Sequence, residues 1–253
     1  MAVAIEACRL IASGATRTFR APAIRVRLCA MSSRIPVPIP THPDVQIESS
    51  RRVWSGRFPL DVVTFRNRRF DGALSGPRTW ELWRRGNAAA LLPYDPVTDS
   101  VVLIEQFRFP MVPAGLDPVM VELPAGLCEQ DESPEDTIRR EMREEMRMDA
   151  TRLVTIGRFA LTPGGADEVV TLFAGLVAAP PADADGVAWH AGEPTENEDI
   201  LVRVWPAARA IEAALAGTMP NVVTTLGLLW LAARRDWLRE RWQSGDNALK
   251  ETA

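Results

Sequence analysis

Gly126-Leu-Cys-Glu-Gln-Asp-Glu-Ser-Pro-Glu-Asp-Thr-Ile-Arg-Arg-Glu-Met-Arg-Glu-Glu-Met-Arg-Met148 is the stretch on which the reading of this chain turns. Ser133 is a good helix N-cap, Pro134 suits the first helical position, and Asp136 completes a Ser-x-x-Asp capping box. The spacing predicts a helix from Pro134 to about Met146. Ile138, Met142 and Met146 recur at i, i+4 spacing as an apolar stripe, and Glu141 and Glu145 share the neighbouring face with Glu144 on the same side. One edge of the helix is expected to pack on a core and the next to present converging carboxylates.

Like charges at this spacing repel by about 0.2–0.5 kcal/mol per pair in an isolated helix. A hard divalent cation reverses that penalty. Mg²⁺ takes oxygen ligands in octahedral geometry and keeps several waters. Such a site suits a pyrophosphate, because the ion neutralises phosphate oxygens and activates a water. The alternative is that Arg139, Arg140, Arg143 and Arg147 simply pair with the glutamates on a solvated face.

The rest of the composition narrows the choice. The formal net charge of -4 argues against wholesale nucleic-acid binding, which needs a strongly basic face. Three cysteines, Cys8, Cys29 and Cys128, do not make a disulfide framework, so a reducing, cytoplasmic setting is expected. His42 and His190 lie far apart and no Cys/His cluster has zinc spacing, so any metal must rest on carboxylates. The apolar run near residues 226–233 is too short to span a bilayer and is expected to be a buried helix, with no membrane partner.

Along the chain, residues 1–34 hold six arginines and one acid, Glu6. They are read as a disordered tail, the alternative being an amphipathic targeting segment, and Met31 is a plausible second start. A Pro-rich linker follows over residues 35–43. The organisation expected is an extension and linker over 1–45, a small β module over 46–86, a main domain over 87–245 and a tail over 246–253. Strands are expected over 58–66, 79–84, 88–93, 101–107, 153–159, 169–176 and 201–205, and helices over 206–217 and 222–242. Strands and helices mix without a regular βαβ repeat, which points to an α+β fold.

The acidic segment resembles the Nudix box, Gly-x5-Glu-x7-Arg-Glu-U-x-Glu-Glu-x-Gly-U with U a bulky apolar residue. It matches at Gly126, Glu132, Arg140, Glu141, Met142, Glu144, Glu145 and Met148. Arg147 stands where the family has glycine, and is expected either to lengthen the helix or to strain its exit by roughly a kcal/mol. The resemblance implies an α/β/α sandwich whose mixed sheet carries this loop-helix-loop. It continues through Arg85-Gly-Asn-Ala-Ala-Ala-Leu-Leu-Pro-Tyr-Asp-Pro96, Leu103-Ile-Glu-Gln-Phe-Arg108, Glu122-Leu-Pro-Ala-Gly126, Thr162-Pro-Gly-Gly165 and Glu196-Asn-Glu-Asp-Ile200. Together these are similar to the ADP-ribose pyrophosphatase branch.

That branch implies roles residue by residue. The Ala125 carbonyl with Glu141, Glu145 and Glu198 would hold Mg²⁺, with Mn²⁺ as a substitute. Arg140 would brace the helix glutamates, Glu132 would position the loop, Glu144 would tune the metal cluster, and Glu196 would deprotonate the attacking water. Arg108 would contact the phosphates, against the alternative of a surface ion pair with Glu105, and Glu168 would touch the terminal ribose or the metal shell. The β module would exchange across a homodimer, where Arg57 and Trp80 would grip the adenine. The reaction implied is hydrolysis of ADP-ribose to AMP and ribose 5-phosphate. The alternatives are another nucleoside diphosphate sugar, such as GDP-mannose or ADP-glucose, and a domain that binds ADP-ribose without cutting it.

Overall fold

The apolar run expected as a strand over residues 88–93 is the central strand of the molecule, which the computed structural model describes over residues 38–192 and 198–243. The expectations for residues 1–34, for Glu196 and for the tail over 246–253 lie outside the described residues. In chain order the strands are β1 (Val45–Trp54), β2 (Leu60–Asn67), β3 (Arg78–Trp83), β4 (Asn87–Asp95), β5 (Ser100–Phe107), β6 (Val119–Glu122) and β7 (Ala125–Leu127). Helix α1 (Pro134–Met146) is followed by β8 (Arg152–Ala160), β9 (Val169–Leu176), β10 (Val187–Ala191), β11 (Ile200–Pro206), α2 (Ala207–Leu215) and α3 (Val222–Gln243).

β4 is apolar on both faces because both faces are covered. Ala88, Ala90, Leu92 and Tyr94 pack with α2 and α3 through Ala207, Ala210, Leu228 and Leu231. Ala89 and Leu91 face the other way, onto Ile138, Met142 and Met146 of α1. Those three α1 side chains are fully buried, each worth about 1.5–3 kcal/mol of transfer from water. The result is the expected α/β/α sandwich.

The large sheet runs β10-β11-β5-β4-β9-β8 and is mixed, with β4 and β9 parallel and the other pairs antiparallel. β4 and β5 pair only at Tyr94–Val101 and Asp95–Ser100, beside their connecting turn. Beyond that they part, and β6 pairs with β5 while β7 pairs with β4. The short segment from Glu122 to Ala125 therefore crosses between the parted strands, directly beside α1.

The small antiparallel sheet β1-β2-β3 precedes this body. Arg84 ties the two together, donating to Asp61 Oδ2 at 3.1 Å and to Asp167 Oδ2 at 2.7 Å. Asp167 also accepts from the backbone N–H groups of Arg85 at 2.6 Å and Gly86 at 3.0 Å, and those bonds hold its carboxyl below the usual range against the opposing effect of burial.

Four strands were not expected. β1 is exposed along its whole length, and its register slips between Ile47 and Ser49 and again between Arg52 and Trp54, which breaks the two-residue period. β6, β7 and β10 are too short to carry a period. Among the described residues no helix is long and apolar enough to cross a membrane.

Candidate active site

The helix that carries the acids begins and ends by local chemistry. Ser133 Oγ accepts from Asp136 N at 3.1 Å, and Pro134 occupies the first turn. The Asp136 carboxylate accepts from the Ser133 hydroxyl at 2.7 Å, so the expected capping box closes side chain to side chain. At the other end Arg147 adopts the left-handed conformation, φ 53° and ψ 37°, and Met148 N donates to Met142 O at 3.1 Å. Arginine thus takes the backbone shape that glycine would, and the helix is not lengthened.

Burial of the Ile138–Met142–Met146 stripe turns the adjacent face toward β7. Glu145 is 4% exposed and accepts from Ala125 N at 3.1 Å. Glu141 lies over Gly126: a Cβ at Gly126 would fall 1.7 Å from Glu141 Oε1 and 2.0 Å from its carboxyl carbon. The glycine that opens the motif therefore clears the space for this carboxylate.

Arg140 organises the outer side of the cluster. Its Nε and Nη2 donate to the two oxygens of Glu132 at 3.0 and 3.1 Å, and its Nη1 donates to Glu141 at 2.7 Å and Glu144 at 2.9 Å. Glu132 also accepts from Thr137 Oγ1 at 2.8 Å and Glu129 N at 3.0 Å, which fixes the loop before α1. The Arg140 bonds, ahead of the others, bring the Glu132 carboxyl down to about 2.

The inner carboxyls behave oppositely. Burial pushes Glu141 up against the pull of Arg140, and the charges of Glu144 and Glu198 add to the rise. Burial pushes Glu145 well above the ordinary carboxylate value, and the charges of Glu141 and Glu198 raise it further. Glu198, from the segment before β11, thus acts on both helix glutamates. Gly192, at φ 100°, lets that segment pass: a Cβ there would stand 2.9 Å from Glu198 O.

Arg108 also acts on this cluster, its cation lowering Glu145. It donates through Nε to Glu122 at 2.8 Å. The alternative pair with Glu105 is not formed, because Glu105 is bonded to Arg203.

Other expected residues sit elsewhere in the chain. Glu168 accepts from Arg85 Nη2 at 2.8 Å, and Arg85 stacks over Phe58 and Trp83 at 4.2 and 4.7 Å. Arg57 lines a hollow of about 620 Å³ with Trp54, Phe58, Leu60, Glu81 and Trp83. Trp80 stands opposite Val63, whereas Trp83 stands opposite Leu60, so Trp80 projects from the other face of β3. It packs edge-on to Phe65 at 5.5 Å, under Arg78 at 4.9 Å. Within one chain Trp80 is thus not among the residues that line the hollow of Arg57.

Among the described residues no group of three His, Cys, Asp or Glu side chains is already spaced as a metal cage. The donor set nevertheless fits a hard cation: Glu145 is a buried and Glu141 a half-buried oxygen donor, and burial and neighbouring carboxylates disfavour the ionised form of each. A bound cation would favour the ionised form of both.

The NUDIX domain profile matches residues 84–221. The chain is 37% identical over 199 residues to the ADP-ribose pyrophosphatase of Escherichia coli (strain K12), covering 79% of this chain and 93% of that one. It is 35% identical to the ADP-ribose pyrophosphatase of Haemophilus influenzae, over 79% of this chain and 91% of that one. It is 33% identical to the GDP-mannose pyrophosphatase of Salmonella arizonae, over 69% and 87%. A crystal structure of an ADP compounds hydrolase shares the fold, with a TM-score of 0.56 at 20% identity over 80% of this chain and 98% of that one. The chain belongs to the Nudix family. It is a Nudix hydrolase, an enzyme of the class that opens pyrophosphate bonds and generally uses divalent metal ions.

Proposed function

We propose that the protein hydrolyses ADP-ribose to AMP and ribose 5-phosphate with Mg²⁺, which Mn²⁺ can replace. The observation that carries this reading is the placing of Glu141 over Gly126 and of Glu145 against Ala125 N, with the charges of Glu198 and Arg108 acting on Glu145, in a chain similar to ADP-ribose pyrophosphatases over most of its length. Glu141, Glu145, Glu198 and the Ala125 carbonyl would hold the ion. Bound there, it would neutralise phosphate charge and acidify a water.

The residues of the chain do the rest. Arg108 binds the diphosphate, Arg140 and Glu132 keep the helix glutamates and their loop in place, and Glu144 tunes the cluster. Glu196 takes a proton from the attacking water. The water oxygen bonds to one phosphorus, the bridging P–O bond breaks, and the bridging oxygen leaves with the other phosphate. Glu168 contacts the terminal ribose. A homodimer built through the small sheet lets Arg57 of one subunit and Trp80 of the other flank the adenine, in the cytoplasm.

The likeness to a GDP-mannose pyrophosphatase supports a second reading, in which base and sugar differ but the diphosphate chemistry is shared. Turnover of ADP-ribose, ADP-glucose and GDP-mannose, side by side with Mg²⁺, separates the two. Preferred release of AMP from ADP-ribose is expected, and preferred release of GMP from GDP-mannose would replace the first reading. ADP-ribose binding with no product in Mg²⁺ would refute hydrolysis. Wild-type KM for ADP-ribose in Trp80→Ala would remove the adenine assignment.

A further inference from the structure

Glu122 closes β6 at the point where β4 and β5 part, and it is 4% exposed. Its carboxylate is the meeting point of three donors. Oε2 accepts from Arg108 Nε at 2.8 Å and Gln106 Nε2 at 3.1 Å, and Oε1 accepts from Asn221 Nδ2 at 2.6 Å. Asn221 cannot turn its amide over, because its Oδ1 already accepts from Thr224 N at 3.0 Å and Thr224 Oγ1 at 3.2 Å. The Thr224 hydroxyl in turn accepts from Leu123 N at 3.0 Å. The circuit thus begins at the backbone next to Glu122 and returns to Glu122 through the start of α3.

One element of that circuit faces outward. Arg108 is held by Nε alone; among the described residues neither Nη1 nor Nη2 donates to any group. Four N–H bonds remain on a guanidinium whose plane is fixed from behind, with 43% of the side chain exposed. A planar fork fixed in this way loses little freedom when it takes an oxyanion.

We infer that Glu122 is a positioning residue for the hydrolysis: it clamps Arg108 through Nε and so aims the guanidinium's terminal N–H groups at the substrate diphosphate, with Asn221 and Gln106 holding Glu122 to that task. The inference rests on the reading that Arg108 meets the phosphates. A carboxylate that merely filled a polar gap in the fold would have no such coupling to substrate.

A double-mutant cycle separates the two. Glu122→Gln keeps the shape but removes the charge and sets an amide against the donors. It is expected to raise KM about tenfold with kcat within about twofold, because unanchored Arg108 must be ordered on binding. In an Arg108→Ala background the same change should leave KM within about twofold, since the residue it positions is gone. Equal effects of Glu122→Gln in both backgrounds, or a fall in kcat with KM unchanged, would overturn the proposal.

Arg108→Lys is a second arm on a half-buried residue at the rim of the site, where the change does not threaten folding. Its single ammonium would be drawn back to Glu122, so KM should match that of Arg108→Ala. A lysine that restores wild-type KM overturns the clamp even if Glu122→Gln does not fold. The wild-type assay tests the ADP-ribose reading by itself. If GDP-mannose proves the better substrate, the cycle is run on it, since the diphosphate is common to both.

Discussion

Replacing Glu132 by glutamine should weaken the fold at neutral pH and matter progressively less in acid. The carboxylate accepts two bonds from Arg140, one from Thr137 and one from a backbone N–H, and it titrates at about 2 instead of 4.5. The folded chain therefore favours the ionised form. That displacement corresponds to about 3 kcal/mol when the group is fully charged. Glu132 is 17% exposed and Arg140 30%, so solvent screens part of the pairing, and about 2–3 kcal/mol is the expected loss. The folded value lies below the unfolded one. The contribution is thus present in full above 4.5 and is lost as pH falls from there through about 2. Urea unfolding of wild type and Glu132→Gln should differ by about 2–3 kcal/mol near pH 7 and by roughly half that near pH 3. A difference that stays flat across this range, or that stays below about 0.5 kcal/mol near neutrality, would refute the reasoning.

Gly126→Ala puts a methyl group into the Glu141 carboxylate, and because that carboxylate ends a flexible side chain it should swing away cheaply: about 1 kcal/mol or less in stability but about 100-fold in kcat. Wild-type kcat in that variant would show that Glu141 is not needed where it lies. Glu145→Gln should lower turnover by about three orders of magnitude and, in chelator, raise stability by about 1 kcal/mol, since a disfavoured buried charge is removed; wild-type rates would remove it from the site. Glu141 and Glu145 both titrate above their unfolded values, so without divalent ion stability should fall as pH rises above 4.5, and added Mg²⁺ should offset the fall. Chelated wild type that instead melts higher as pH climbs contradicts this. Arg147→Gly relieves a left-handed arginine and should raise Tm, by up to about 1 kcal/mol in stability, and a lower Tm would mean that the arginine costs nothing there.

Much of this was legible because the deciding segment is local. Caps, stripe and carboxylate face of α1 all lie within one run of residues, so period and end signals suffice to place them. The central strands were legible for the opposite reason: β4 and β9 are buried on both faces and read as continuous apolar runs. What could not be read depends on contacts across the chain. Glu122 is visible as the first residue of a segment that carries the resemblance, but what it does appears only where Asn221, Arg108 and Gln106 converge on it. Gly126 is visible as a motif glycine, but its reason is the Glu141 carboxylate lying over it. Arg57 and Trp80 could be matched by position, whereas the face that Trp80 occupies follows from strand register.

The Arg84 link between Asp61 and Asp167 bears on how such a protein can change over generations. Residues 45–83 and the turn before β9 share one cation, so a version of either that lacks its aspartate breaks the link. A recombinant that lacks the acid on one side loses one arm of the link, at a cost of about 1–3 kcal/mol, since Asp61 keeps Arg52 and Asp167 keeps the N–H groups of Arg85 and Gly86. The two stretches should therefore descend as a linked set, and shuffled libraries should recover folded members mainly where both come from the same parent.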